Sequence, residues 1–282
     1  MEYKELDDKT LKKLHIVEID ILKEIDRICK KYDIKYFLCG GSLLGSIRHK
    51  GFIPWDDDID IGMIREDYEK FKIAFIKEKE SEYFLHTYDS DKNYWLPFMK
   101  VRKNNTTIDE QFISHLNTHK GIFVDIFPFD KVPDNGFSKS LKFRAFLIKL
   151  IVEAIFVKQG VYSCKNSRRP LFTKIMTIFK VSTLYKMQNK LMMAYEKKDV
   201  NHLICYVGTY NTEKEYIKKS DIFPLREEGL FEGQKYPIPN NYDIYLKNLY
   251  NDYMKLPPKE KRRNHNPVAI DFNKGKNRTN GD

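Results

Sequence analysis

The residues best suited to chemistry lie between Leu38 and Gly62, in the run LCGGSLLGSIRHKGFIPWDDDIDIG. A glycine-serine turn, Gly40-Gly41-Ser42, leads into Leu43, Leu44 and Ile47 at helical spacing. Backbone N–H groups at such a helix start point at an anion, and missing side chains let it come close. After Gly51 and Pro54 the stretch Trp55 to Ile61 reads as extended. A side-chain period of two puts Asp56, Asp58 and Asp60 on one face and Asp57, Ile59 and Ile61 on the other. Three carboxylates on one face repel unless a cation lies between them or some hold protons. Oxygen-only ligands call for a hard ion: Mg²⁺ where phosphates complete the shell, with Mn²⁺ as a substitute. A solvated acidic loop is the plainer alternative, and the alternation of Ile59 and Ile61 speaks against it. A calcium EF-hand needs Gly sixth and Glu twelfth, where this run has Ile61 and Asp67, so that reading fails.

Further candidates lie downstream. Trp95 to Arg102, WLPFMKVR, reads as a strand with Lys100 and Arg102 on one face. They could present two cations to phosphate or sit as solvated charges on a sheet edge. Ile122 to Phe127, IFVDIF, places Asp125 inside an apolar strand, where a carboxylate is costly to bury without a partner. The ion held by Asp58 and Asp60 is its natural partner. Arg48-His49-Lys50, between the turn and the aspartates, could meet a phosphate or simply be solvated. Lys261, Arg262, Arg263 and His265 could close over an anionic ligand. His115 and His119 stand four apart but have no third ligand nearby, so they read as ordinary polar histidines.

These side chains need a layered frame. Thr10 to Tyr32 reads as an amphipathic helix with an apolar stripe of Leu11, Leu14, Ile21, Leu22, Ile25 and Ile28. Ile34 to Cys39 reads as the strand before the glycine turn. Glu66 to Lys79 reads as a helix with Tyr68, Phe71, Phe75 and Ile76 inward, and Tyr83 to His86 as a strand. Helices alternating with strands argue an α/β layered unit. Asp134-Asn135-Gly136 is a turn signal. Beyond it Ser138 to Lys198 reads as two or three basic helices broken around Gly160 to Pro170. The most apolar part, Ala145 to Val157, is interrupted by Lys149 and Glu153, so it belongs in a core or on a membrane surface. Ile204 to Thr209 reads as a strand, Phe231 to Gln234 as a turn and Tyr242 to Tyr253 as a helix. The expected division is a catalytic core over 1–133, a basic helical region over 134–200, a segment completing the site over 201–272, and a disordered tail over 273–282.

The chain has 282 residues, enough for a sizeable core, and a formal charge of +10 despite the aspartates. That favours anionic partners. Nucleic acid is not expected, since acidic residues gathered at one site would repel a polyanion. Cys29, Cys39, Cys164 and Cys205 have no metal-site or CxxC spacing and read as reduced cytosolic thiols. No signal-peptide pattern or membrane-spanning run is evident, so a cytoplasmic placement is expected, the inner membrane face included.

The stretch GGSLLGSIRHKGFIPWDDDIDIGM resembles the signature of the LicD family, phosphocholine transferases similar to the fukutin-related proteins and sharing the nucleotidyltransferase fold. The resemblance continues through WLPFMKVRKNNTT, GIFVDIFPFDKVPDN, FEGQKYPIPNNYDIYL and DYMKLPP, leaving out the helices between about Gly136 and Val200. It implies an α+β fold, a nucleotidyltransferase-like mixed β-sheet flanked by helices with an inserted basic helical region, and a metal site of Asp58, Asp60 and Asp125; Asp56, on the same face by its spacing, is a further candidate ligand or orients the others. It also implies the glycine-serine turn at Gly41-Ser42, so that donor binding is expected around Gly40, Gly41 and Ser42; Arg48, Lys100 and Arg102, read from their own positions, are the candidate donor-binding cations. The implied reaction is transfer of phosphocholine from CDP-choline, or of a related phospho-alcohol, to a sugar hydroxyl. The implied acceptor is a teichoic acid or lipopolysaccharide glycan, free or lipid-linked, with peripheral membrane contact in the latter case. No cysteine cluster matches the zinc loop of the fukutin-related proteins, so zinc is not expected. A nucleotidyltransferase releasing pyrophosphate, and a basic binding module without activity, are the alternatives.

Overall fold

A computed structural model of the chain describes residues 6–78, 82–167, 169–208, 211–262, 264–265 and 267–273. Lys79, Arg168, Thr209, Arg263 and the tail from 274 onward, on which some of the expectations above fall, lie outside the described residues.

The chain opens with α1 (Asp8–Lys31), β1 (Phe37–Leu38), α2 (Gly40–His49), β2 (Asp60–Ile64), α3 (Arg65–Glu78) and β3 (Tyr83–His86). Next come β4 (Met99–Lys103), β5 (Thr107–Glu110) and β6 (Phe123–Val132), then three helices, α4 (Lys139–Lys158), α5 (Pro170–Met176) and α6 (Val181–Met192). The chain closes with β7 (His202–Ile204), β8 (Tyr216–Lys218), α7 (Lys219–Ile222), β9 (Arg226–Phe231), β10 (Gln234–Ile238), α8 (Tyr242–Tyr250) and β11 (Pro267–Asp271). This is the α+β arrangement expected, a mixed sheet flanked by helices.

The sheet runs β1-β2-β6-β4-β3, and the far half of β6 continues through β7 to β8. Among the described strands only β2 and β6 pair in parallel; the remaining neighbours in this sheet are antiparallel. α1 packs across it with Leu14, Ile21, Leu22 and Ile25 fully buried. Its start is capped by Asp7, whose side chain accepts the Thr10 N–H, and Lys30 and Lys31 complement the dipole at its end. At the start of α3, Arg65 makes a buried two-pronged bond to Asp130 of β6, at 2.7 and 3.0 Å, and so ties helix to sheet.

Some elements differ from the sequence pattern. β1 is shorter than Ile34 to Cys39, and β2 begins only at Asp60, so Asp56 to Ile59 form an irregular loop. β4 starts at Met99, two residues after Pro97, which has no N–H to give a ladder. Ile76, expected inward, is 60% exposed. β7 sits earlier than the predicted Ile204 to Thr209. β5 and β11 pair across most of the chain length, which no local pattern announces.

Arg102 does not stand beside Lys100 as a free cation. It is 1% exposed, donates from Nε to Nδ1 of His86 at 2.7 Å and donates to the Gly121 carbonyl at 2.6 Å. Because Nδ1 of His86 accepts, its proton is on Nε2, which donates to Asp91 at 3.0 Å. Burial and the Arg102 charge push His86 down to about 2. The unfolded imidazole takes a proton near pH 6.5 and the folded one does not, so this contribution is complete above about pH 6.5 and falls away as pH drops toward 2. Between pH 7 and 5 the loss should reach about 1–2 kcal/mol. Urea unfolding of wild type and His86→Gln at both pH values checks this: the variant should lose less stability than wild type, and equal losses would refute the assignment.

Candidate active site

The parallel pairing of β2 with β6 sets Asp60 directly beside Asp125. The loop before β2 adds Asp58, and carboxylate oxygens of Asp58, Asp60 and Asp125 lie within 4.8 Å of one another. All three carboxyls are pushed above the usual carboxylate range, each chiefly by burial. For Asp60 the charges of Asp58 and Asp125 add to it. Asp56 shifts the same way, from burial and then from Asp58.

The glycine turn sits against this cluster. A Cβ on Gly40 would stand 2.9 Å from Oδ2 of Asp60, and one on Gly41 would stand 2.8 Å from Oδ2 of Asp56. Gly40 also has φ +51°, a conformation open to glycine at little cost. Ser42, 3% exposed, accepts the Asp60 N–H at 2.8 Å and keeps its own proton to donate. The start of α2 is therefore held against two of the carboxylates.

Other groups fix the acidic loop. His15 of α1 meets the Asp56 carbonyl through Nε2 at 2.8 Å and stacks on Phe52. Asp57, expected to face away from the site, is buried. It accepts from the backbone N–H of His265 at 3.0 Å and from its ring at 2.8 Å. His265 also comes within 3.7 Å of Asp58, and these carboxylates push it up to about 11, Asp58 foremost.

The expected cations divide. Lys100 is at the site, with Nζ 2.7 Å from Oδ1 of Asp125 and 3.3 Å from the centre of the Phe123 ring. Arg102 belongs to the His86 network. Arg48, in the last turn of α2, donates to the Tyr253 carbonyl and to His49. At the rise of an α-helix it stands about 12 Å along the axis from Gly40. Arg262 lies over the Trp55 ring at 4.8 Å.

One residue was missed in the sequence. Glu18 on α1 is 1% exposed; burial and the charges of Asp58, Asp57 and Asp56 raise its carboxyl well above the normal range. The signal was available, since position 18 continues the apolar stripe through Leu14, Ile21 and Leu22.

The carboxylates open into a cavity of about 820 Å³. Asp58, Asp60, Asp125 and His265 form one end, and Phe98, Phe127, Phe156 and Tyr162 line its apolar walls. Lys149 and Glu153, the two charges that interrupt the apolar run of α4, both face it, as does Arg169. Its oxygen-rich end fits a hard divalent cation by donor type, and its size suits a small-molecule ligand.

The chain is similar to known proteins over most of its length. A family model described as "LicD/FKTN/FKRP, nucleotidyltransferase domain" matches residues 33–147. The lipopolysaccharide cholinephosphotransferase LicD of Haemophilus influenzae is 30% identical over 266 residues, 91% of this chain and 96% of that protein. An uncharacterized protein of Rickettsia prowazekii is 31% identical over 142 residues, 48% of this chain and 50% of its own. Ribitol 5-phosphate transferase FKRP of Homo sapiens is 56% identical over 34 residues, 12% of this chain and 7% of that protein.

Crowding makes a testable statement about stability. A carboxyl raised in the folded state opposes folding when it is ionised at neutral pH, so Asp60→Asn should melt above wild type in a chelating buffer. Adding Mg²⁺ or Mn²⁺ should raise the melting temperature of wild type and leave the variant where it was. Thermal melts with and without the ion decide; a variant that melts below wild type in chelator contradicts the crowding argument.

Proposed function

The chain belongs to the LicD family, and from that premise we propose that it moves a phospho-alcohol from a cytidine-diphosphate-linked donor to a hydroxyl of a cell-surface glycan. It is an enzyme, a phosphotransferase of the LicD type. Phosphocholine is the first choice of group, because the relative aligned over 91% of this chain is a cholinephosphotransferase acting on lipopolysaccharide. The observation that carries the reading is the meeting of Asp58, Asp60 and Asp125 at the end of a cavity, beside a glycine turn.

Asp58, Asp60 and Asp125 would hold Mg²⁺ or Mn²⁺, with Asp56 close enough to orient or join them. A bound divalent cation neutralises the diphosphate of the donor and polarises the phosphoryl group under attack. Gly40 and Gly41 let the start of α2 lie against the Asp60 and Asp56 carboxylates, so that its backbone N–H groups would meet non-bridging oxygens held at the same ion, and Ser42 would donate its hydroxyl proton to one of them. The acceptor oxygen attacks the phosphorus that bears the alcohol, the bond from that phosphorus to the bridging oxygen breaks, and CMP leaves. Asp125, raised by burial, takes the proton of the acceptor hydroxyl, and Lys100 holds it in place through their ion pair.

A donor panel tests this. With Mg²⁺ and each of CDP-choline, CDP-ethanolamine, CDP-glycerol and CDP-ribitol, CMP should be released from one of them, first of all CDP-choline. Asp58→Asn and Asp60→Asn should each lower that rate by about a thousandfold while remaining folded by circular dichroism. Pyrophosphate released from CTP, with no CMP from any donor, would replace the reading with a nucleotidyltransferase; full activity in the Asn variants would remove the proposed site.

A further inference from the structure

α5 is built inside out. Its sequence is PLFTKIM, and its one buried residue is the polar Thr173, which donates to Glu153 at 3.1 Å and meets Ser167 at 2.8 Å. Leu171, Phe172 and Ile175 face solvent, joined by Ile178 and Phe179 just beyond the helix, with Leu171 69% and Ile178 80% exposed. A surface helix of a globular protein turns its apolar face inward. The patch is contiguous with α4: the Phe172 ring meets Phe146 edge-on at 6.5 Å, and Phe146 stacks with exposed Phe143 at 6.3 Å. Apolar side chains gathered in this way mark a surface with a partner.

Charge says which partner. Residues 139–190 hold twelve Lys and Arg against one acidic residue, Glu153. That stretch carries the entire positive excess of the chain, whose formal charge is +10, and leaves the remainder near neutral. Lys142, Lys165, Lys174 and Lys180 in it are exposed, while Glu153 is paired with Arg169. We propose that α5, the residues after it to Lys180 and the first turns of α4 dock onto an anionic lipid bilayer. Leu171, Phe172, Ile175 and Ile178 enter the headgroup layer and the lysines bind lipid phosphates. A second copy is disfavoured, because a two-fold contact would bring this one-sign surface against itself. A nucleic acid would use the charge and the Phe143 and Phe172 rings, but it gains little from Leu171, Ile175 and Ile178, which offer no ring for a base to stack on and which a bilayer takes up.

Docking there places the cavity at the membrane. Arg169 lines the cavity and also lies over the Phe146 ring of the patch at 4.9 Å. Glu153, on the cavity wall, anchors α5 through Thr173. A glycan carried on a lipid would thus reach the carboxylates without leaving the bilayer surface. This last step rests on the phosphotransferase reading; the docking itself does not.

Flotation of the full chain with vesicles tests the proposal. The protein should float with phosphatidylglycerol-containing vesicles, stay behind with pure phosphatidylcholine, and be released by high salt. Phe172→Ser with Ile178→Ser should weaken binding at least about tenfold, and Lys174→Ala or Lys180→Ala should weaken it about fivefold each. Ile73→Ser, in an exposed residue of α3, should change nothing, and all variants should melt with wild type. Vesicle binding unaffected by the patch variants overturns the proposal, as does a patch variant that changes the sedimenting mass or DNA retention while vesicle binding persists. Vesicle binding by a chain that releases CMP from no donor would leave docking in place and remove the reaction; CMP release without vesicle binding would do the reverse.

Discussion

Mutual repulsion among carboxylates is the constraint around which this fold is arranged. Asp56, Asp58, Asp60 and Asp125 are each driven above their ordinary titration range, first by burial and then by neighbouring carboxylates, and Glu18 of α1 adds a further buried acid. Left to themselves these groups would separate. The parallel ladder between β2 and β6 prevents it, because moving Asp60 away from Asp125 would break the backbone pairing from Asp60 to Ile64. Lys100 supplies one positive charge at Asp125 and His265 another at Asp57 and Asp58. The first turn of α2 adds the partial positive end of its dipole. On the proposed reading a site so constrained is prepared for a cation in advance, and that is how a fold lowers the reorganisation needed when a charged ligand arrives.

The net positive charge of the chain is carried by a segment separate from the strands and loop that hold this cluster. Twelve basic residues lie in the segment of α4, α5 and α6, and those helices rest on apolar clusters of their own, such as Ile151, Ala154, Ile155, Leu184 and Tyr185. Segregation matters because a lysine at the acidic end would compete with a metal for the carboxylates. Among the described residues Lys100 is the lysine that does so, and its position over the Phe123 ring at 3.3 Å gives it a second partner besides Asp125.

Much of the site was legible in the sequence, and the parts that were not have physical reasons. The glycine turn and the aspartates are local in sequence, and Asp125 betrayed itself as a charge in an apolar strand. The face assignment named residues that do lie together, but by an incomplete route: Asp58 lies in an irregular loop and only Asp60 in a strand, so alternation was not what gathered them. Arg102 was misplaced because a shared strand face says nothing of what waits there, and His86 and Gly121 engage the guanidinium. Asp57 was sent outward for want of His265, which reaches it from 208 positions away. The β5–β11 pair was invisible for the same reason, since a register between distant segments leaves no trace in either one.

The cavity joins two parts of the chain with different standing. Its acidic end comes from segments within residues 33–147, where the family model matches, together with His265. Other lining residues, Lys149, Glu153, Phe156, Tyr162 and Arg169, lie beyond that match. Chemistry common to a family must sit where the reacting phosphorus sits, while the groups that tell one alcohol or one glycan from another need only touch its far end. On the proposed reading, the helices that carry the basic charge therefore do two jobs at once. Their outer face meets the bilayer and their inner face meets the substrate, with Arg169 in contact with both, so that a change in α4 or α5 alters what reaches the carboxylates without disturbing the carboxylates themselves.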